Sequence, residues 1–166
     1  VQDILTTIGR SQSPEATFEL LVEIGWWSPH ENLFLRRSSY PVHFPKKVLE
    51  VAHKFLQSPP PDPHTNRLDL THLKIYTIDD ESTEEIDDGL SVEYLENGQV
   101  RLWIHIADPS RLVAPNDPLD LEARKRSTSL YLPTGMIPMF PSELATGPMS
   151  LVQGKLCPAV SFGVIL

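Results

Sequence analysis

Seven of the 22 acidic side chains of this 166-residue chain lie between Asp79 and Asp88, in the run TIDDESTEEIDDGL that spans Thr77 to Leu90. Carboxylates crowded in this way repel one another unless something offsets their charge. Two readings are open. One is a solvated loop, the usual fate of an acidic run. The other is a metal site: hard divalent cations such as Mg2+ or Mn2+ take oxygen ligands and retain waters. A few carboxylates at a strand end can therefore hold such a cation while its open positions receive phosphate oxygens.

Competing chemistries fit less well. In an EF-hand count from Asp79, the sixth position is Glu84 where glycine is required, and the twelfth is Leu90 where an acid is required. The six histidines are scattered and the single cysteine, Cys157, has no thiol partner, which argues against zinc and excludes an internal disulfide. Cys157 sits in an apolar stretch and reads as a core residue. His105, Asp108 and Ser110 crowd one strand end, a spacing at which a Ser-His-Asp triad rarely converges.

The elements that must position the acidic run fall into three parts. In residues 1–57, Val1, Ile4, Leu5 and Ile8 have helical spacing, and Ser13-Pro14-Glu15 supplies an N-cap and first turn for a second helix with Phe18, Leu21 and Val22 on one face. Gly25 ends that helix, and after Phe44-Pro45 a third helix carries Val48, Leu49, Ala52, Phe55 and Leu56 as its expected buried stripe. Three such helices make a small helical module, winged-helix-like in outline. It has no basic helix, so DNA is not an expected partner. Residues 58–66, with Pro59, Pro60, Pro61 and Pro63, form a stiff connection.

Beyond that linker, residues 67–166 change period. Leu73, Ile75 and Thr77 predict a strand, and Leu90 to Leu95, Glu96-Asn97-Gly98 and Val100 to Ile106 predict a hairpin. In its second arm Val100, Leu102, Ile104 and Ile106 face one way and Arg101, Trp103 and His105 the other. Asp117 and Pro118 cap a helix reaching Ser127, and Pro158 to Leu166 reads as another strand. The fold class is α+β.

Charge is divided just as unevenly. Residues 1–57 hold six basic and six acidic side chains, whereas residues 58–166 hold eight and sixteen, so the net charge of -8 belongs to the second part. Such a surface does not attract nucleic acid through lysine and arginine. No apolar stretch approaches the roughly 20 residues that span a bilayer, and the first residues lack the pattern of a secretory signal, so no membrane association is expected and a cytoplasmic setting is.

Five motifs in one order carry a family resemblance: Thr77-Ile78-Asp79 with Ile86-Asp87-Asp88, Trp103 through Ser110 (WIHIADPS), Leu119-Asp120 through Arg126, Tyr131-Leu132-Pro133, and Ile137 through Pro141 (IPMFP). Over residues 67–166 the chain resembles the opening half of the RNB catalytic domain of the ribonuclease II and ribonuclease R type, and its acidic run is closest to cyanobacterial and plastid forms. The resemblance implies a magnesium-dependent 3′-to-5′ exoribonuclease, Mn2+ being a possible substitute, that releases nucleoside 5′-monophosphates from single-stranded RNA. By motif position the catalytic and metal-site acids are Asp79, Glu85, Asp87 and Asp88. Asp79 and Asp88 are implied as direct ligands, and Glu85 and Asp87 as completing the site through metal or water. Tyr131 is implied to stack on a base near the RNA 3′ end; its plainer reading is a tyrosine packed over the helix of residues 117–127.

Two departures bear on activity. Glu85 stands where the family usually has aspartate. The family's domain also runs on past the region matched here, so a truncated mixed α/β domain, weak or inactive alone, is expected. An organellar parent fits the plastid likeness. The alternative is a noncatalytic RNA-associated scaffold that keeps the RNB-like fold.

Overall fold

The computed structural model describes residues 2–166, so Val1, the first member of the expected helical stripe, lies outside the described residues. The chain divides into two compact units, residues 1–40 and 41–166. In the first, α1 (Gln2–Thr7), α2 (Pro14–Glu23) and α3 (Leu33–Arg37) follow in order. The Ser13 hydroxyl accepts the Ala16 amide at 3.1 Å ahead of Pro14, the capping that the sequence predicts. Gly25, at φ 72°, lets the chain leave α2 through the left-handed region. The short helix α3 is not evident from apolar spacing; the Asn32 side chain starts it by accepting the Leu35 amide at 3.0 Å. Trp27 packs near Phe18, with ring centroids 5.9 Å apart, and carries the Arg36 guanidinium over its face.

The second unit begins with α4 (Lys46–Gln57), which packs against α5 (Pro118–Arg126) and α6 (Ser142–Ala145). Val48 and Ala52 of α4 join Leu112, Leu119, Leu144 and Met149 in the buried core, with Phe44, Val51 and Phe55 packed against it. Sequence placed α4 with the helices before it. Its apolar face instead closes over α5 and α6, so the compact units separate ahead of α4 rather than at the prolines. Leu49 and Leu56, assigned to the buried stripe, are exposed. Val48, Val51, Ala52 and Phe55 already cover one face at i, i+3, i+4 and i+7, and Leu49 and Leu56 lie beyond its edge.

The proline-rich segment is tied down at its far end. Arg67 donates to Asp62 at 2.6 Å and to the buried Asp108 at 2.7 Å. The 3-10 turn Pro109–Arg111 follows Asp108.

Three antiparallel strands, β1 (Asp88–Tyr94), β2 (Val100–Ala107) and the C-terminal strand, here β5 (Ala159–Ile165), form a sheet in the order β1-β2-β5; β3 (Leu130–Leu132) and β4 (Gly135–Ile137) make a separate short hairpin. Gly98, at φ 82°, closes the β1–β2 turn. Register puts Leu90 and Val92 beside Ile104 and Leu102, and these beside Phe162 and Val164. That apolar face holds the exposed Val92, Phe162 and Val164, while the opposite face buries Ser91, Trp103 and His105.

The strand expected over Leu73 to Thr77 reduces to a single antiparallel bridge, Tyr76 to Leu90, with both hydrogen bonds at 2.8 Å. Continuing that ladder would set Asp79 opposite Asp87, and like charges directly across a sheet are destabilising. The chain leaves the sheet edge instead.

Among the described residues, no helix is long and apolar enough to cross a membrane. Cys157 is half-buried rather than a core residue, because its Sγ is turned to the backbone loop and accepts the Val152 amide at 3.3 Å.

Candidate functional site

The acidic run leaves the sheet after Tyr76 and returns to it at Asp88, the first residue of β1. Its backbone is clamped just before that point. The Ser150 hydroxyl accepts the Ile86 amide at 2.8 Å and donates to the Ile86 carbonyl at 3.2 Å, and the Leu151 amide donates to the same carbonyl at 2.8 Å. The Asp87 carbonyl accepts the Ala107 amide at 2.8 Å. Gly89 passes so close to Ile75 and Tyr76 that a Cβ there would fall 2.8 Å from the Ile75 Cγ2 and 3.3 Å from the Tyr76 carbonyl oxygen. A side chain at Gly89 would force Ile75 or the Tyr76 backbone to shift, so glycine permits this close approach directly after Asp88.

Not every acid in the run belongs to the cluster. Asp80 turns back on its own loop, accepting the Ser82 hydroxyl at 2.6 Å and the Ser82 amide at 2.9 Å, and these bonds hold its carboxyl below the usual range. Asp80 shapes the loop.

Of the four acids implied by resemblance, Asp87 lies within electrostatic reach of the other three. Partial burial raises the Asp87 carboxyl above its usual range, and the charges of Asp88 and Asp79 raise it further. Glu85 is also raised, first by burial and then by Asp87, against an opposing hydrogen bond from Ser129. Glu85 is only 8% exposed. Its Oε2 accepts the Ser129 hydroxyl at 3.0 Å, while its Oε1 is buried with no hydrogen-bond partner. Leaving such an acceptor unpaired costs roughly 1–3 kcal/mol.

Tyr131, on β3, belongs to the same surface. Burial, and then the charges of Glu85 and Asp87, push its hydroxyl above the usual range. At 66% exposure the ring is not packed over α5, so the plainer reading does not hold. Its hairpin is held near the acids through Ser129, which accepts the Met139 amide at 3.0 Å.

The donor set suits a hard cation: oxygen ligands only, mutually repelling, one of them with an unpaired buried oxygen. Among the described residues, no three His, Cys, Asp or Glu side chains converge to ligating distance. A closed calcium or zinc cage is therefore not formed, but a magnesium site needs only one or two protein carboxylates, since waters and substrate phosphates fill the rest. The chemistry of the residues and the orphaned Glu85 oxygen fit that open kind of site.

His105 is not part of it. Its ring bonds Ser91 Oγ at 2.8 Å on β1 and Ser161 Oγ at 2.9 Å on β5, while Ser110 pairs with Asp108, so no Ser-His-Asp relay forms. Ser129 and Ser150 carry no signal in the sequence, because a lone serine in a loop fits no ligand or catalytic spacing. Only the folded chain shows them holding Glu85 and Ile86.

Residues 67–166 match the RNB domain family, and residues 1–33 match the family described as a double HTH domain. The chain is 69% identical over 164 residues to an uncharacterized ribonuclease of Synechocystis sp., covering 99% of this chain and 25% of that one. It is 42% identical over 163 residues to ribonuclease II, chloroplastic/mitochondrial, of Arabidopsis thaliana, covering 98% of this chain and 20% of that one. Among solved structures, Mycoplasma genitalium RNase R in complex with double-stranded RNA superposes with a TM-score of 0.71 at 25% identity, covering 87% of this chain and 24% of that one. The chain thus spans about a quarter or less of the length of these relatives.

Proposed function

The chain belongs to the RNB family, whose relatives include ribonucleases, and from that premise we propose that it carries the acidic part of the active site of a 3′-to-5′ exoribonuclease acting on single-stranded RNA. The observation that carries this reading is the clamped backbone: Ser150 and Leu151 hold Ile86 between Glu85 and Asp87, Asp88 begins β1, and Ser129 ties Glu85 to the segment that leads into the exposed Tyr131.

Asp79 and Asp88 are the direct ligands of Mg2+ or Mn2+ in this proposal, and Glu85 and Asp87 complete the site through metal or water. Bound there, the cation neutralises developing negative charge and makes a water more readily deprotonated, the chemistry that opens a phosphodiester. The protein residues do the rest. The Ser150 clamp fixes the loop so that the carboxylates do not splay apart. Tyr131 offers a ring to the terminal base, and stacking on it tolerates any sequence, as a degradative enzyme requires. Nucleoside 5′-monophosphate is the expected product. Ribonuclease relatives from a cyanobacterium and from plant organelles support a cytoplasmic or organellar setting.

A second reading is a noncatalytic RNA-associated scaffold. It is favoured by glutamate at position 85, where the family usually has aspartate. The deciding assay uses 5′-labelled single-stranded RNA with Mg2+, on this chain and on a chimera in which it replaces the matching quarter of the Synechocystis relative. Stepwise release of mononucleotides by the chimera, with or without activity in this chain, supports the exoribonuclease. Metal bound by both and RNA cleaved by neither supports the scaffold.

A further inference from the structure

Ser129 stands at the meeting point of two parts of the site. It lies just past the end of α5, two residues before Tyr131, and it is half-buried. Its Oγ accepts the Met139 amide at 3.0 Å and donates to Glu85 Oε2 at 3.0 Å. A backbone amide can only donate, so the Met139 bond occupies a lone pair of the hydroxyl and leaves its one proton for Glu85. The bond to Glu85 is thereby enforced.

The consequence falls on the other carboxylate oxygen. With Oε2 held by Ser129 and Ile86 clamped front and back by Ser150, the Glu85 side chain has little freedom, and Oε1 is held buried without a partner. Glutamate has one more rotatable bond than aspartate, so a second contact is needed to hold its carboxylate in place. Ser129 supplies that contact, and it also ties the carboxylate to the hairpin bearing Tyr131.

We propose that Ser129 is a positioning residue that holds the Glu85 carboxylate with one oxygen free for the divalent-cation site. The inference rests on the reading of Glu85 given under the proposed function. Groups that hydrogen-bond a ligand in this way commonly change metal affinity by about 10- to 100-fold when removed.

Mn2+ titration followed by electron paramagnetic resonance of the free ion tests it on the whole chain, with thermal melts on the same samples. Ser129→Ala is expected to weaken Mn2+ binding about tenfold, Ser129→Thr to restore most of that loss, and Glu85→Gln to weaken binding at least as much. The double variant Ser129→Ala/Glu85→Gln should be no weaker than Glu85→Gln alone, because the serine acts only through the glutamate. This non-additivity decides the matter even if the threonine variant does not fold. Wild-type affinity in Ser129→Ala, with Glu85→Gln weakened, overturns the positioning role and leaves the metal site standing. Additive losses, or equal weakening in the alanine and threonine variants together with lowered melting, also overturn it. Wild-type affinity in Glu85→Gln, or no Mn2+ binding by the chain at all, removes Glu85 from the site and the proposal with it.

Discussion

Arg126 and Glu122, one turn apart on α5, form a buried ion pair with Arg126 Nε 3.1 Å from Glu122 Oε1. The guanidinium does more than pair. Its remaining nitrogens donate to the Pro138 carbonyl at 3.1 Å and the His43 carbonyl at 3.0 Å, and its carbon lies 3.7 Å from the centre of the Phe44 ring. One side chain thus joins α5, the segment entering α4, and the chain between β4 and α6. An arginine in an RNA-associated family invites a role in phosphate contact, but Arg126 is 2% exposed and fully engaged within the protein.

Arg126→Met should therefore unfold the second unit rather than alter a phosphate contact. Removing one partner of a buried pair costs about 3–5 kcal/mol, because the buried Glu122 keeps only the exposed Lys125 at 3.4 Å and the Pro138 and His43 carbonyls lose their donor. Urea denaturation followed by tryptophan fluorescence checks this, and a loss below about 1 kcal/mol would be inconsistent with the network described.

Local signals in the sequence were sufficient for α2, α5 and the β1–β2 hairpin, since Ser13-Pro14, Asp117-Pro118 and Asn97-Gly98 act within a few residues of themselves. The acids of the site were legible for a different reason: their number and crowding need an explanation whatever the fold. What stayed hidden depends on partners distant in sequence. Strand pairing beyond Tyr76 is stopped by Asp87, α4 is claimed by α5 and α6, and Ser129 matters because Glu85, 44 positions earlier, is beside it. The polar pattern of β2 misleads for the same reason, because Ser91 and Ser161 let His105 be buried on the face that looks hydrophilic.

His105 gives a pH dependence with a definite sign. Burial lowers its affinity for a proton below the ordinary histidine value of about 6.5. A base depressed in this way binds more protons unfolded than folded, so stability is full above the unfolded value and falls as pH drops through it toward the folded value. The unfolding free energy should decline as pH falls below the ordinary histidine value of about 6.5, at no more than about 1.4 kcal/mol per pH unit from this group. His105→Gln, which cannot titrate, should flatten that decline; an unchanged slope in denaturation series at several pH values would exclude His105 as its source.

Asp88→Asn in the chimera with the Synechocystis relative should abolish hydrolysis and leave RNA binding within about threefold, since it removes a cation ligand without touching the base platform. Single-turnover assays beside filter binding separate the two effects. Full activity in this variant would remove Asp88 from the catalytic set.

Tyr131→Ala should act in the opposite way. The exposed ring has little packing to lose, so melting should barely change, while loss of stacking weakens RNA by roughly 1–3 kcal/mol, or about 5- to 150-fold. Tyr131→Phe should bind nearly as wild type, because the ring and not the hydroxyl makes the contact. Equal weakening in both variants would point to the hydroxyl instead.

Divalent cations should stabilise this chain by themselves. Burial first, and then the charges of Asp88 and Asp79, raises Asp87, and burial first, then Asp87, raises Glu85, so the folded state disfavours these charges in a way that a bound cation would offset. A cation that binds only the folded form adds about 1.4 kcal/mol when its free concentration is ten times Kd. Mg2+ or Mn2+ should therefore raise Tm by several degrees over a sodium control of equal ionic strength, and Asp79→Asn/Asp88→Asn should lose most of that increase. If the variant keeps the full shift, the stabilising ion sits elsewhere. If neither protein responds, the acidic run behaves as a solvated loop, and its repulsion is relieved by water and salt alone.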